Sequence, residues 1–146
     1  MYPYSYSITL RATHPSMDPD VITQAFGLQP VQIWRAGDAR STPKGTPLEG
    51  HYKYSYWYTK VVPRAEGASE ACALEDRLSS LAESLSKHTE FISTLCASGG
   101  RAELFIGLFG DRNFGFVLEP RLTQALAAIG LALSFDIYPE PAVEQG

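Results

Sequence analysis

Between Trp34 and Lys44 the chain reads WRAGDARSTPK, which sets Arg35, Asp38, Arg40 and Lys44 around Gly37. Basic side chains and free backbone N–H groups in a glycine turn can receive an anionic ligand. The same residues also suit a solvated loop in which Asp38 makes a turn hydrogen bond. A second constellation comes from strand alternation, which places Ser5, Ser7, Arg11, Trp57, Asp136 and Tyr138 opposite the apolar positions of their strands. An aromatic beside an Arg and an Asp suits a recognition surface, and it equally suits a plain sheet face on which Trp57 packs over a neighbouring strand. His14, His51 and His88 lack the paired spacing of a zinc site. HExxH, GxSxG, the phosphate loop, CxxC and the dinucleotide fingerprint are all absent. No nucleophile, base and orienting group form a set. Catalytic residues are therefore assigned to none, no metal or cofactor is expected, and the reading favours a protein that is not an enzyme.

A third stretch, LFIGLFGDRNFGFVLE from Leu104 to Glu119, carries aromatics in a pattern similar to the paired signatures of RNA-recognition motifs. In that family a helix and a strand separate the shorter motif from the longer one. Here only GDRN intervenes, Asn113 stands where glycine is expected, and Glu119 replaces the final aromatic. The expectation is a β-hairpin of residues 103–109 and 114–118 about a tight turn. Phe105, Phe114 and Phe116 are then structural, and both faces of LFIGLF are apolar, as in a covered central strand or a dimer seam.

The elements that must position these residues follow from periodicity. YSYSITLRA puts Tyr4, Tyr6, Ile8 and Leu10 on one face and Ser5, Ser7, Thr9 and Arg11 on the other, the two-residue period of a half-buried strand. DPDVITQAFGL predicts a short helix capped by Asp18, with Pro19 at its first position and Gly27 at its end. VQIWRA predicts a strand, and Gly37–Gly50 a loop rich in Gly and Pro. In HYKYSYWYTKVV, Tyr52, Tyr54, Tyr56 and Tyr58 alternate with Lys53, Ser55, Trp57 and Thr59. The tyrosines are read as core, matching the Ile8 and Leu10 face, which puts Trp57 outside. From Ser69 to Ala97 a stripe of Leu74, Leu78, Leu81, Leu85, His88, Ile92 and Leu95 predicts helix, broken near Ser86–Thr89 with Thr89 capping the second piece. His88 is read as a core or break-point histidine.

A weak repeat organises the ends: DPDVITQAFGLQPVQIW and EPRLTQALAAIGLALSFDIY each run acid, Pro, a helix containing Thr-Gln-Ala, Gly-Leu, then a strand. The resulting order is β-α-β-β, a long helical segment, then β-β-α-β. It describes an α+β chain of ferredoxin-like halves, with a mainly antiparallel sheet and helices on one face. One domain is expected over 1–146, with its core over about 4–138 and a tail at 139–146, since 146 residues with 45% apolar content can bury roughly two-thirds of the unfolded surface.

A net charge of −4 argues against a broad nucleic-acid footprint or an anionic membrane surface. No apolar run nears the roughly 20 residues of a membrane span, and MYPYSYSITLRATHPS lacks the form of an export signal. Cys72 and Cys96 lie 24 residues apart, about 36 Å along an unbroken helix. That distance is beyond disulfide reach, so free thiols and a cytoplasmic location are expected.

GLQPVQIWRAGD, the strand carrying Trp57 and the closing GLALSFDIY resemble the bacterial proteins grouped as the domain of unknown function 4279 family. The resemblance spans Tyr4 to Tyr138 and marks Pro30, Gly37, Asp38, Trp57, Asp136 and Tyr138; it implies a small domain with no agreed activity. The functional expectation is a protein-binding or regulatory module, immunity-type included, with Arg11, Arg35, Asp38, Trp57, Asp136 and Tyr138 as the candidate surface. The expected partner is a protein, with a homodimer also open, and neither nucleic acid nor membrane. The alternative is a sensor that binds a small anionic ligand near the 37–50 loop.

Overall fold

The computed structural model describes residues 2–141. Of the tail expected at 139–146, residues 142–146 lie outside the described residues. Strand β1 (Ser5–His14) alternates along its whole length, with Tyr6, Ile8, Leu10, Ala12 and His14 buried and the residues between them half-buried. Helix α1 (Pro19–Phe26) starts where the sequence predicts. The Asp18 carboxylate accepts from the Asp20 N–H at 2.9 Å, Pro19 fills the first turn, and Gly27 ends the helix in the left-handed region at φ 67°. That conformation strains any residue with a Cβ. Strand β2 (Gln32–Trp34) follows.

The segment 37–50, expected as a loop, instead holds a small two-stranded sheet of β3 (Ala39–Ser41) and β4 (Pro47–His51). Strand β5 consequently begins at Ser55 rather than His51 and runs to Val62. Residues 69–73 form a turn, so the long helical region starts at Leu74. It comprises α2 (Leu74–Leu85), a 3-10 turn at Ser86–His88, and α3 (Thr89–Ala97). The break lies where it was expected, but Thr89 does not cap α3: its hydroxyl donates back to the Ser86 carbonyl at 2.6 Å. Strand β6 (Arg101–Gly110), helix α4 (Pro120–Ile129) and strand β7 (Leu131–Pro139) complete the chain.

The expected hairpin after β6 is absent, because residues 113–119 form no strand. The neighbour of β6 on that side is β7, parallel to it and reached through α4, since parallel strands need a crossover rather than a turn. Phe114 stacks on Tyr4 with ring centroids 4.8 Å apart, and Phe116 lies 6.0 Å from the Phe135 ring, so both serve packing.

The main sheet has five strands in the order β2-β5-β1-β6-β7, antiparallel except for β6–β7. The chain is thus α+β with a mostly antiparallel sheet. The buried alternates of β1 and β6 share one core with Leu74, Leu78 and Leu85 of α2, Ile92 and Leu95 of α3, and Leu122, Leu126 and Ile129 of α4. Fully burying each such Leu or Ile contributes roughly 1.5–3 kcal/mol. Cys72 is half-buried, Cys96 is exposed, and both are free thiols.

Strand β5 corrects the reading of Trp57. It pairs with β1 so that Trp57 lies opposite Ala12, and Ala12 faces the core. Trp57 has no exposed surface, while the tyrosines of the strand point to the other side. The small Ala12 and its β6 partner Ala102 leave room for the indole. Polar Ser55 and Thr59 are buried beside Trp57 because each has a partner in the 23–36 segment. Trp57 Nε1 donates to Thr23 Oγ1 at 2.9 Å, Thr59 Oγ1 donates to the Gln29 carbonyl at 2.8 Å, and Ser55 Oγ accepts from the Ala36 N–H at 3.1 Å. Satisfied in this way, a polar strand face can be core, and hydrophobicity alone assigned it to the wrong side.

Candidate functional site: the open face of the sheet

All four helices use one face of the sheet, and the alternate residues of every strand project from the other. The register sets these in rows: Trp34, Tyr56, Thr13 and Arg101; then Gln32, Tyr58, Arg11 and Glu103; and, at the far end, Ser5, Phe109 and Tyr138. Arg11, Asp136 and Tyr138 of the expected surface are on this face. Trp57 is on the opposite one. Arg35 and Asp38 do not come together as a ligand loop: Arg35 bridges Asp18 and Asp20 at 3.3 and 3.1 Å beside the start of α1, and the backbone of Asp38 braces Tyr52. Arg40 donates to the Glu49 carbonyl at 3.2 Å, and Lys44 is exposed in the β3–β4 turn.

One end of the face is an aromatic stack. The Trp34 ring lies between Tyr52, at 4.5 Å and 10°, and Tyr56, at 4.3 Å and 20°. Two backbone hydrogen bonds place Tyr52, from the Gly37 N–H to its carbonyl and from its own N–H to the Asp38 carbonyl, at 2.8 and 2.9 Å. Its hydroxyl donates to the Ser41 carbonyl at 2.9 Å. The β3–β4 unit therefore builds one wall of the stack. The Trp34 indole N–H is buried and has no acceptor among the described residues, a cost of the order of 1–3 kcal/mol for a donor held from water.

Beside the stack, Arg11 Nε donates to Glu103 at 2.7 Å and its guanidinium lies 4.1 Å over the Phe105 ring. Arg101 approaches the other Glu103 oxygen at 3.4 Å while its own side chain stays largely exposed. Burial pushes the Tyr56 hydroxyl pKa above its ordinary value, and the nearby Arg11 charge opposes the shift. A cavity of about 380 Å³ is bounded by Arg11, Thr13, Tyr54, Tyr56, Arg101 and Glu103. A second, of about 340 Å³, lies across Tyr54 and is bounded by Trp34, Arg40, His51, Tyr52 and Lys53.

The other end of the face is closed on itself. Phe109 and Tyr138 stack at 5.0 Å and 9°, Arg64 lies 3.9 Å over Phe109, and Arg64 also pairs with Glu140. Tyr138 donates to the Asp136 carboxylate, and that bond holds the phenol pKa above its usual value. Glu103 and Phe109 are six positions apart on β6, about 20 Å in an extended strand. Arg11 and the Asp136–Tyr138 pair thus share a face without forming one site.

Sequence reasoning missed Trp34, Tyr54, Lys53, Arg101 and Glu103. The usable signal was the opposite charges of Arg11 and Glu103 on polar alternates of two apolar strands, which a cross-strand pair would bring together. Larger depressions lie between α2 and α4, about 610 Å³, and beside residues 112–118 and β7, about 550 Å³. The first has mainly small and apolar walls with a rim of Glu83, Glu119 and Arg121, and the second is chiefly aromatic and aliphatic. The first lies among the helices and the second on the Phe135 and Ile137 side of β7, so neither opens onto the uncovered sheet face. Among the described residues no three His, Cys, Asp or Glu side chains group where they could hold a metal ion, and no helix is long and apolar enough to cross a membrane.

The model of one family, described as Domain of unknown function (DUF4279), matches residues 4–140. No curated protein and no solved structure matches the chain.

Proposed function

Since the chain belongs to the DUF4279 family, whose description assigns no activity, we propose from the geometry that it is a protein-binding module and that its partner docks on the open face of the sheet. One observation carries the reading: a five-stranded sheet leaves uncovered a face rich in Tyr, Trp, Phe and Arg, the residue types that concentrate in interface hot spots. Tyr54 and Tyr138 stand 47% and 46% exposed at the two ends and are natural anchors. A small anionic ligand at the 37–50 loop is less well supported, because Arg35 is committed to Asp18 and Asp20.

The test is capture of partners from the native host with wild type, a Tyr54→Ala/Tyr138→Ala double variant and Val21→Ala. Val21 is equally exposed, on α1. Hot-spot truncations cost about 2 kcal/mol or more, so a partner retained by wild type and Val21→Ala should be lost from the double variant, with melting points close together. Retention by the double variant, or loss from Val21→Ala, contradicts the proposal.

A further inference from the structure

We infer that the Tyr54 end of the open face is a groove for an acidic segment of the partner protein; this rests on the open-face reading and names its chemistry. The chain carries 12 basic against 16 acidic residues. The two cavities that meet at Tyr54 reverse that balance, with Arg11, Arg101, Arg40 and Lys53 in their walls against one carboxylate, Glu103. A third of the basic residues therefore converge on one small region of an acidic protein. Glu103 is shared between Arg11 and Arg101, and the longer 3.4 Å contact leaves most of the Arg101 donors free. Arg40 bonds only a neutral carbonyl, and among the described residues neither Arg40 nor Lys53 makes an ion pair.

Guanidinium groups bind carboxylates through paired donors, and the field of clustered cations favours an acidic approach. In an extended peptide, side chains on one face recur every two residues, about 6.8 Å apart. Two acids so spaced straddle a ring such as Tyr54 and enter the cavities on either side. Phosphodiester strands would also meet the charge, but they need aromatic rings with free faces for their bases. Here both faces of the Trp34 ring are occupied by Tyr52 and Tyr56, and of the Trp and Tyr rings lining the two cavities only Tyr54 is strongly exposed, too little for successive bases to stack, which favours the peptide.

Labelled hexaglutamate, hexaglutamine and decathymidylate, followed by fluorescence anisotropy against wild type, Arg101→Gln/Lys53→Gln and Arg121→Gln, provide the test. Arg121 is an exposed residue of α4 on the helical side. Hexaglutamate should bind wild type and Arg121→Gln alike, weaken by about tenfold in the double variant, as expected for two partly exposed charge contacts, and weaken again as salt rises toward about 0.15 M. Hexaglutamine should not bind. Absence of hexaglutamate binding, an unchanged double variant, or equal affinity for decathymidylate overturns the inference. A host partner that depends on Tyr54 and Tyr138 but ignores Arg101→Gln/Lys53→Gln would leave the open-face reading intact and remove only the acidic groove.

Discussion

The two tryptophans stand on opposite faces of the same sheet, on neighbouring strands, in contrasting surroundings. Trp57 has no exposed surface, small neighbours on β1 and β6, and a hydrogen bond from its indole to Thr23. Trp34 is half-buried, is held by two stacked tyrosines, and has an indole N–H with no acceptor. On the helical face each inward polar group of β5 has a partner; on the open face donors and rings are left in surplus. A fully matched surface is a core, while a surplus of donors and aromatic area on a folded surface is what a partner could use.

The largest expected effect belongs to Trp57→Ala, which should cost about 3–5 kcal/mol as a core truncation and lower the melting point by more than about 10 °C. Trp34→Ala, measured in parallel, should lose less than half as much. Equal losses would erase the distinction between the faces. Next comes Phe116→Ala, at about 2 kcal/mol for a half-buried ring, read by denaturant titration. A neutral result would mean that residues 113–119 do not pack as described.

Glu103→Gln should cost about 1 kcal/mol, because it leaves Arg11 half-buried without its counter-charge. It should also strengthen hexaglutamate binding by freeing two guanidinium groups. Weaker binding would place the ligand elsewhere. The smallest effect is at His88, on the helical side, where burial and then Lys87 lower the ring pKa and Phe26 meets it edge-on at 5.2 Å. The unfolded chain then binds the proton more readily, so this contribution to stability is present above about pH 6.5 and lost as pH falls below it. His88→Gln should flatten the melting-point slope in that window, and an unchanged slope would count against the burial of the ring.

Much of the frame was legible because it depends on local chemistry. Asp18, Pro19 and Gly27 delimit α1, Pro120 and Gly130 delimit α4, and the leucine stripe with its interruption at Ser86–His88 becomes α2 and α3. The faces of β5 were not legible, since tyrosine looks more apolar than Ser, Trp and Thr taken together. What decided the matter was three hydrogen bonds to residues 19 to 34 positions away in sequence. The hairpin expected after Gly110 failed for a related reason. GDRN is a sound turn, but Phe114 finds Tyr4 across the fold and β6 already has β1 and β7 as neighbours. Arg11, Asp136 and Tyr138 were placed on the correct face by simple alternation, whereas the meeting of Arg11 with Glu103 and Arg101 required the β1–β6 register.

Single-tryptophan fluorescence tests the division of labour between the faces most directly. Trp57→Phe leaves Trp34 as the reporter, and Trp34→Phe leaves Trp57. With both variants folded, hexaglutamate should change the emission of the Trp34-only protein and leave the Trp57-only protein unaltered, and acrylamide should quench the first far more than the second. A response confined to Trp57, or equal quenching of both, would contradict an open binding face set against a closed core.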